Sequence, residues 1–355
     1  MKIFWIGQAP YDEGAGEEVV DRKLKAALVR LGHQIDTYSP KPVSRLREVV
    51  NLSLLRMPYY RARFESAESR RAIRAISRDY DAIVASWEPF DGLALDAPKP
   101  VVLLLHNITS AAIRSVFPTH PLARLLARRG ERWERSAYGD RRVRAVAVLS
   151  VADQRYVQSL SRGNPVLYTP PGMPPLAPLA EHARFVPELL LSGTYGWFPK
   201  RRDVLAFARE YAGLPAAHKI PVLADGLPEQ AVLQLAPRPS ASADATQAVR
   251  LGLISDRFES GHKLKTAYYI ANNAVVLSFA DVSKDFEGVP DHAFFIRRIR
   301  SATDIAQHVQ ELSALPQEQL RSRMLAFKAA CQERFSWDAS AGVLARALEE
   351  KALRS

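Results

Sequence analysis

Short apolar runs alternate with longer amphipathic stretches along most of this chain. Met1 to Gly7 is a strand-length apolar run that ends in a glycine turn, and Gln8 to Gly16 reads as a loop. Glu17 to Leu31 carries apolar positions at helical spacing and stops at Gly32, a C-cap position. His33 to Ser39 has strand character, so the chain opens as a βαβ unit and predicts a parallel sheet. Asp81 to Trp87, Val101 to Leu105 and Val143 to Leu149 are further strands. The second of these is wholly apolar, as a strand covered on both faces requires. A basic helix is predicted over 121–138, and Ser150 to Asp153 caps another.

From about residue 164 the order restarts. Asn164 to Gly172 reads as a short strand and turn, and the proline-rich run to Pro178 as a linker. Leu189 to Ser192 is a strand, Gly193 to Arg202 the loop after it, and Asp203 to Tyr211 a helix. Residues 228–248, rich in Pro, Ser, Ala and Gln, read as an irregular surface segment. Val249 to Ile254 is a strand that delivers the chain to Glu259-Ser260-Gly261-His262-Lys263-Leu264-Lys265, a turn leading into a helix and the strand Ala274 to Leu277. The tail from 302 to 355 is helical, with Trp337 in its middle. The pattern is that of an α/β protein.

A length of 355 residues suits two domains, and 47% hydrophobic with 25% charged residues is a soluble globular composition. Cys331 is the single cysteine, which excludes an intrachain disulfide, argues against a Cys-based zinc site and fits a reducing compartment. The N-terminal run is too short for a signal peptide core, and no apolar run approaches the roughly 20 residues of a spanning helix, so a cytoplasmic location is expected.

A net charge of +11 implies an anionic partner: a nucleic acid, an anionic membrane or a phosphorylated small molecule. Residues 41–78 hold ten Lys or Arg against three Glu, interleaved with Leu52, Leu54, Leu55, Met57, Tyr59 and Tyr60; residues 121–144 hold eight Arg against three acids. The first stretch is either a solvated helical hairpin or an amphipathic face that lies on anionic lipid. Nucleic acid is not the expected partner.

The Gly261 turn is the first candidate site. A helix start offers free N–H groups to an anion, and Lys263, Lys265 and His262 add charge for a diphosphate. Lys200, Arg201 and Arg202 follow the Gly193 loop, Arg201 being preferred for its fork geometry, and Thr194 and Tyr195 flank it. His106, at a strand end beside Asn107, is the first choice for a general base and Glu13 the second, with Asp12 and Glu17 nearby; Gly14 and Gly16 shape the first loop. A structural role for His106, and a helix-dipole role for Glu17, are the alternatives. Glu259, with Ser260 beside it, either binds a ribose or sugar hydroxyl or pairs with Lys263 across one helical turn.

Two βαβ-type halves, each with a ligand loop after its first strand, resemble the two Rossmann-like domains of a GT-B glycosyltransferase. The acidic glycine loop with Leu31-Gly32-His33, the strand Val101 to Asn107, the turn Tyr168 to Gly172, the stretch Leu190 to Pro199, the lysine helix after Gly261 and Phe335-Ser336-Trp337 are each similar to motifs of bacterial sugar-nucleotide transferases. The resemblance implies a GT-B fold with parallel sheets facing a central cleft. It implies an N-terminal acceptor domain over 1–163, a nucleotide-sugar domain over 164–334 and a closing helix over 335–355 that returns to the first domain. It also implies transfer of a hexose from a nucleoside-diphosphate sugar to a saccharide or polyprenyl-linked acceptor in cell-surface polysaccharide synthesis, without metal or cofactor. With the basic stretch 41–78, the expected location is peripheral, on the inner face of the plasma membrane. The chain departs from retaining members, which carry two glutamates separated by seven residues: that spacing from Glu259 meets Ala267, and alignment on Lys265 meets Tyr268. It also lacks the aspartate base of the xanthan glucuronosyltransferase, offering His106 and Asn107 instead. A nucleotide-sugar epimerase and a non-catalytic membrane or nucleic-acid binding protein on the same fold are the rival readings.

Overall fold

Residues 1–8, 16–161, 163–239 and 246–350 are described by the computed structural model. They form two compact units, each built on a parallel sheet.

The first unit opens with β1 (Lys2–Ile6), α1 (Gly16–Arg30) and β2 (Gln34–Tyr38). Gly32, with φ +87°, lets His33 N–H return to the Leu28 carbonyl at 3.2 Å, so α1 ends where its C-cap glycine predicts. Next come α2 (Arg45–Ser53), α3 (Tyr59–Ala62), α4 (Ala67–Ile76), β3 (Ala82–Ser86) and α5 (Asp91–Leu95). Then follow β4 (Val101–Leu105), α6 (Thr109–Val116), α7 (Pro121–Tyr138), β5 (Val143–Val148), α8 (Val151–Leu160) and β6 (Val166–Tyr168). The strand order is β2-β1-β3-β4-β5-β6. Every residue of β3 and β4 is buried, the condition for a central strand with helices on both faces.

The strand expected to open the second half, β6, pairs instead with β5, Val146 to Val166 in register. The first unit therefore runs to Pro171, past the expected boundary at 163. The chain also returns to it at the end. Helix α15 (Trp337–Glu349) packs on α1, β4 and β5, and Ser340 Oγ donates to the Pro170 carbonyl at 2.6 Å.

The basic stretch 41–78 is three helices rather than a hairpin, and it is not uniformly a solvent face. Arg61 is buried, ion-paired to Glu65 at 2.6 Å and Asp91 at 3.2 Å, and stacked 3.6 Å over the Trp133 ring. Arg70 bridges Glu65 and Asp96 at 2.5 and 2.6 Å. Helix α2 is inverted by contrast: its buried residue is Asn51, whose amide donates to the Ala62 and Glu65 carbonyls, while Leu46 and Leu54 stand 78% and 76% exposed. Among the described residues no helix is long and apolar enough to cross a membrane.

The second unit holds β7 (Arg184–Leu191), α9 (Phe198–Ala212), β8 (Val222–Ala224), α10 (Glu229–Leu235), β9 (Ala248–Ile254), α11 (Leu264–Ala271) and β10 (Ala274–Ser278). It continues with α12 (His292–Phe295), β11 (Ile296–Arg298), α13 (Asp304–Ser313) and α14 (Gln317–Arg334). The order is β11-β10-β9-β7-β8. Pro187 interrupts β7, and the β7–β9 register shifts between Phe185 and Leu189, because proline has no N–H for the ladder. Within the segment 228–248, the described residues 228–239 are less irregular than the composition suggests: α10 buries Ala231 and Leu235, with Pro228 at its N-cap. Lys328 is buried and donates to the Ala177 carbonyl at 2.5 Å and to Asn273 Oδ1, pinning the linker to the turn before β10.

Candidate functional site

In the second unit, β7 delivers Ser192 and Gly193 to the carboxyl edge of the sheet, where open α/β folds bind ligands. Gly193 has φ +134°, and a Cβ there would stand 2.3 Å from Lys265 Cε. Lys265 is the second residue of α11, so the bare backbone of one element makes room for the ammonium of another. That ammonium is buried, has no hydrogen-bond partner among the described residues, and lies 4.7 Å from the Tyr195 ring centre. Burial pushes the Lys265 ammonium below the ordinary lysine range; Asp256 opposes this, and the positive charge of Lys200 adds to it. Gly193, Tyr195, Lys200 and Lys265 are thus one cluster. Tyr269 ties it together: its hydroxyl accepts from Ser192 N–H at 2.8 Å and donates to the Leu253 carbonyl at 3.0 Å.

Other expected donor residues fall differently. Lys200, Arg201 and Arg202 belong to α9, not to the loop, because Pro199 is preorganised for a first helical turn. Arg201 and Thr194 are exposed, and Arg202 pairs with Asp203 at 2.7 Å. Lys263 is buried, with its ammonium 3.6 Å over the Phe258 ring, which in turn meets Trp197 edge-on. Glu259 pairs with Arg298 at 3.4 Å and not with Lys263; α11 begins at Leu264, so the two residues never share a helical turn. Tyr268 is exposed on α11. Ser260, Gly261 and His262 group with the first unit. There Ser260 Oγ accepts from Ile108 N–H at 2.9 Å, and Gly261 N–H donates to Asp153 Oδ2 at 3.0 Å, so this amide is already engaged.

In the first unit, His106 follows β4 and is 6% exposed. Ser86 Oγ, at the end of β3, lies 2.5 Å from Asp21 Oδ1 and 2.8 Å from His106 Nε2; Nε2 is itself 3.3 Å from Asp21 Oδ1, and Trp5 Nε1 donates to Asp21 Oδ2 at 3.1 Å. Burial raises the Asp21 carboxyl, but the His106 hydrogen bond and charge, with Ser86 and Trp5, outweigh it and hold Asp21 below the usual carboxylate range. An ionised Asp21 takes the one Ser86 proton, so His106 Nε2 must be the donor to Ser86. His106 is therefore held by structural bonds through Nε2, with Nδ1 as its other ring nitrogen.

Asn107 N–H donates to Glu88 Oε1 at 3.1 Å. Burial drives the Glu88 carboxyl well above the ordinary range, and Trp87 before it has φ +94°, a strained conformation for an aromatic residue. Glu13 and Gly14 lie outside the described residues, and Gly16 is the exposed first residue of α1. Among the described residues, no group of three or more His, Cys, Asp or Glu is placed to hold a metal ion. The sequence reading missed Asp21, Ser86, Glu88 and Asp256. Asp21 did carry a signal: it precedes Leu24 by one turn, a charge on the apolar stripe of α1.

Residues 15–175 match the family model described as Glycosyltransferase Family 4. No curated protein matches the sequence. The fold is similar to a solved alpha,alpha-trehalose-phosphate synthase (UDP-forming) from Burkholderia vietnamiensis, at TM-score 0.62 and 13% identity over 98% of this chain and 97% of that one. It is similar to an E. coli structure described as trehalose-6-phosphate bound with UDP-2-fluoro glucose, at TM-score 0.56 and 11% identity over 99% and 100%. TarM is a further neighbour at TM-score 0.56 and 9% identity; 80% of this chain aligns and spans 58% of TarM. With its two parallel-sheet units, the chain has the GT-B fold of these neighbours, and its residues 15–175 match a glycosyltransferase family model.

Proposed function

We propose that the protein moves a hexose from a nucleoside-diphosphate sugar to a saccharide on a polyprenyl-type lipid, at an anionic membrane surface on the cytoplasmic side. One observation carries the donor half: the buried Lys265 ammonium, without a hydrogen-bond partner among the described residues, against the bare backbone of Gly193. An uncompensated buried cation is costly and is stabilised when an anion arrives. A diphosphate leaving group takes that place, with Lys200 adding charge and no metal needed to neutralise it. The E. coli neighbour's description names UDP-2-fluoro glucose, which supports a nucleotide sugar as the donor class.

On the first unit, His106 Nδ1 serves as the base that takes the acceptor hydroxyl proton, and Asp21 positions the ring through Nε2. Helix α2 supports the membrane part. Leu46, Val49, Leu54 and Leu55 are exposed, and Lys41, Arg45, Arg47 and Arg56 around them are exposed too. That combination of leucines for the acyl boundary and cations for anionic headgroups fits an interfacial helix.

Calorimetric titration with UDP, GDP and dTDP tests the donor site. One of the three binds the wild type, and Lys265→Ala weakens it by at least tenfold; no binding of any nucleotide sinks the reading.

A further inference from the structure

A positively charged pocket lies in the same unit, lined by none of the residues of the Lys265 cluster. Arg257, Phe279, Arg298, Ile299 and Arg300 line an open cavity of about 420 Å³. Its walls come from successive strand ends. Arg257 stands three residues past β9, Phe279 directly follows β10, and Arg298 closes β11. All three strands are parallel, so the pocket occupies the carboxyl edge of the sheet.

Arg257 is held in place by Glu210 at 2.5 Å and by stacking 4.3 Å over the Phe279 ring. Arg298 meets Glu259 at 3.4 Å, both partners being half exposed, a pair of little strength. Asp281 also feels Arg298, but its closest cation is Lys284 at 2.9 Å. Arg300 forms no ion pair among the described residues; only its backbone N–H is engaged, by Asp304. Arg257 is neutralised by Glu210 and Arg298 only weakly by Glu259, so Arg298 and Arg300 leave the cavity with positive charge that an anion would compensate. Their planar forks suit a phosphate oxyanion, and the apolar floor of Phe279 and Ile299 suits the body of a molecule attached to it. The pocket shares no lining residue with the Gly193, Tyr195, Lys200 and Lys265 cluster, although Arg257 directly follows Asp256, which acts on Lys265.

We propose that this pocket is a second oxyanion site, which binds the phosphate group of a ligand other than the donor nucleotide. It stands independently of the donor reading.

The test is calorimetry on the full chain with inorganic phosphate and with pyrophosphate at fixed ionic strength. Arg298→Gln/Arg300→Gln replaces two exposed side chains, so thermal melting should match wild type. The wild type binds phosphate saturably, and the double variant loses about tenfold in affinity. Its nucleotide-diphosphate affinity stays within about twofold of wild type, whereas Lys265→Ala shows the opposite pattern. Absence of saturable phosphate binding to wild type overturns the proposal. So does a double variant that binds phosphate as tightly, or phosphate binding that vanishes with Lys265→Ala alone. A chain that binds no nucleotide but loses phosphate in the double variant leaves this pocket standing and removes the donor site.

Discussion

Lys265 Nζ sits 2.7 Å from the point where a side chain at residue 193 would begin. The two residues are 72 positions apart, yet each explains the other: Gly193 has to be glycine for the ammonium to lie buried at the sheet edge.

Gly193→Ala adds a methyl group that Lys265 must leave room for, at a φ of +134° that a Cβ does not tolerate. Strain of about 1–3 kcal/mol is expected. Urea denaturation should show that loss, and calorimetry a drop of at least tenfold in nucleotide affinity. A variant with wild-type stability and affinity would show that the ammonium has another resting place.

The depressed Lys265 titration gives a signed pH dependence. Burial lowers its folded value below the unfolded one, so between the two the unfolded chain binds more protons and stability rises with pH. Ligand binding runs the other way, since the clamp needs the charge. Wild-type nucleotide affinity is expected to fall at alkaline pH, starting below the ordinary lysine range. Lys265→Met should bind weakly at every pH and lack that fall. A parallel fall in the variant would assign the titration to the ligand or to another group.

Much of this was readable before any coordinates. The buried strands, the glycine C-cap at Gly32, the Ser150 cap and the lysine on α11 follow from periodicity and local chemistry that act within a few residues. What could not be read is what depends on distant partners. Asp21, Ser86 and His106 meet across 85 positions because the first half of α1 meets the carboxyl ends of β3 and β4, and nothing local to any of them says so. The basic stretch misled for the same reason: Arg61 looks like a surface charge until Asp91 and Trp133 fold onto it. Glu259 and Lys263 have helical-pair spacing, but the helix starts only at Leu264, after both of them.

Asp21→Asn tests whether His106 is more than a packed ring. The amide keeps the shape but can present N–H toward Nε2, which disturbs the bonds that hold the ring. With the acceptor in hand, kcat is expected to fall about 100-fold with KM within about twofold, in line with general-base contributions. A purely structural His106 would show lowered thermal stability without this kcat-specific loss.

Glu134 offers a stability test independent of activity. It accepts from Ser110 N–H at 3.0 Å and from Ser110 Oγ. Burial raises its carboxyl to about 7, more than these bonds lower it. A folded value above the unfolded one gives stability that is present below the unfolded value and lost as pH rises through about 7. Glu134→Gln removes the titration. The stability of wild type relative to the variant should therefore fall by about 3 kcal/mol between pH about 4 and 8. Equal urea midpoints differences at both ends of that range would place the proton elsewhere.

Helix α2 decides the membrane question. Its exposed face costs nothing to the fold if made polar, because Leu46 and Leu54 are 78% and 76% exposed and the buried anchor is Asn51. Leu46→Asp/Leu54→Asp should leave the melting temperature within a degree or two and nucleotide affinity unchanged, since α2 belongs to the first unit and the Lys265 cluster to the second. Two leucines withdrawn from the acyl boundary, at about 0.8 kcal/mol per CH₂ buried, with two anions placed against anionic headgroups, should abolish flotation with vesicles containing anionic lipid. Charge alone predicts a different result: if α2 only collects counterions, the leucines are idle, and flotation should instead follow ionic strength and the loss of Arg45 and Arg47. Flotation that survives the aspartates and disappears in high salt would therefore reject insertion and leave electrostatic adsorption, whereas loss at low salt in the uncharged Leu46→Ser/Leu54→Ser variant requires the leucines to enter the lipid.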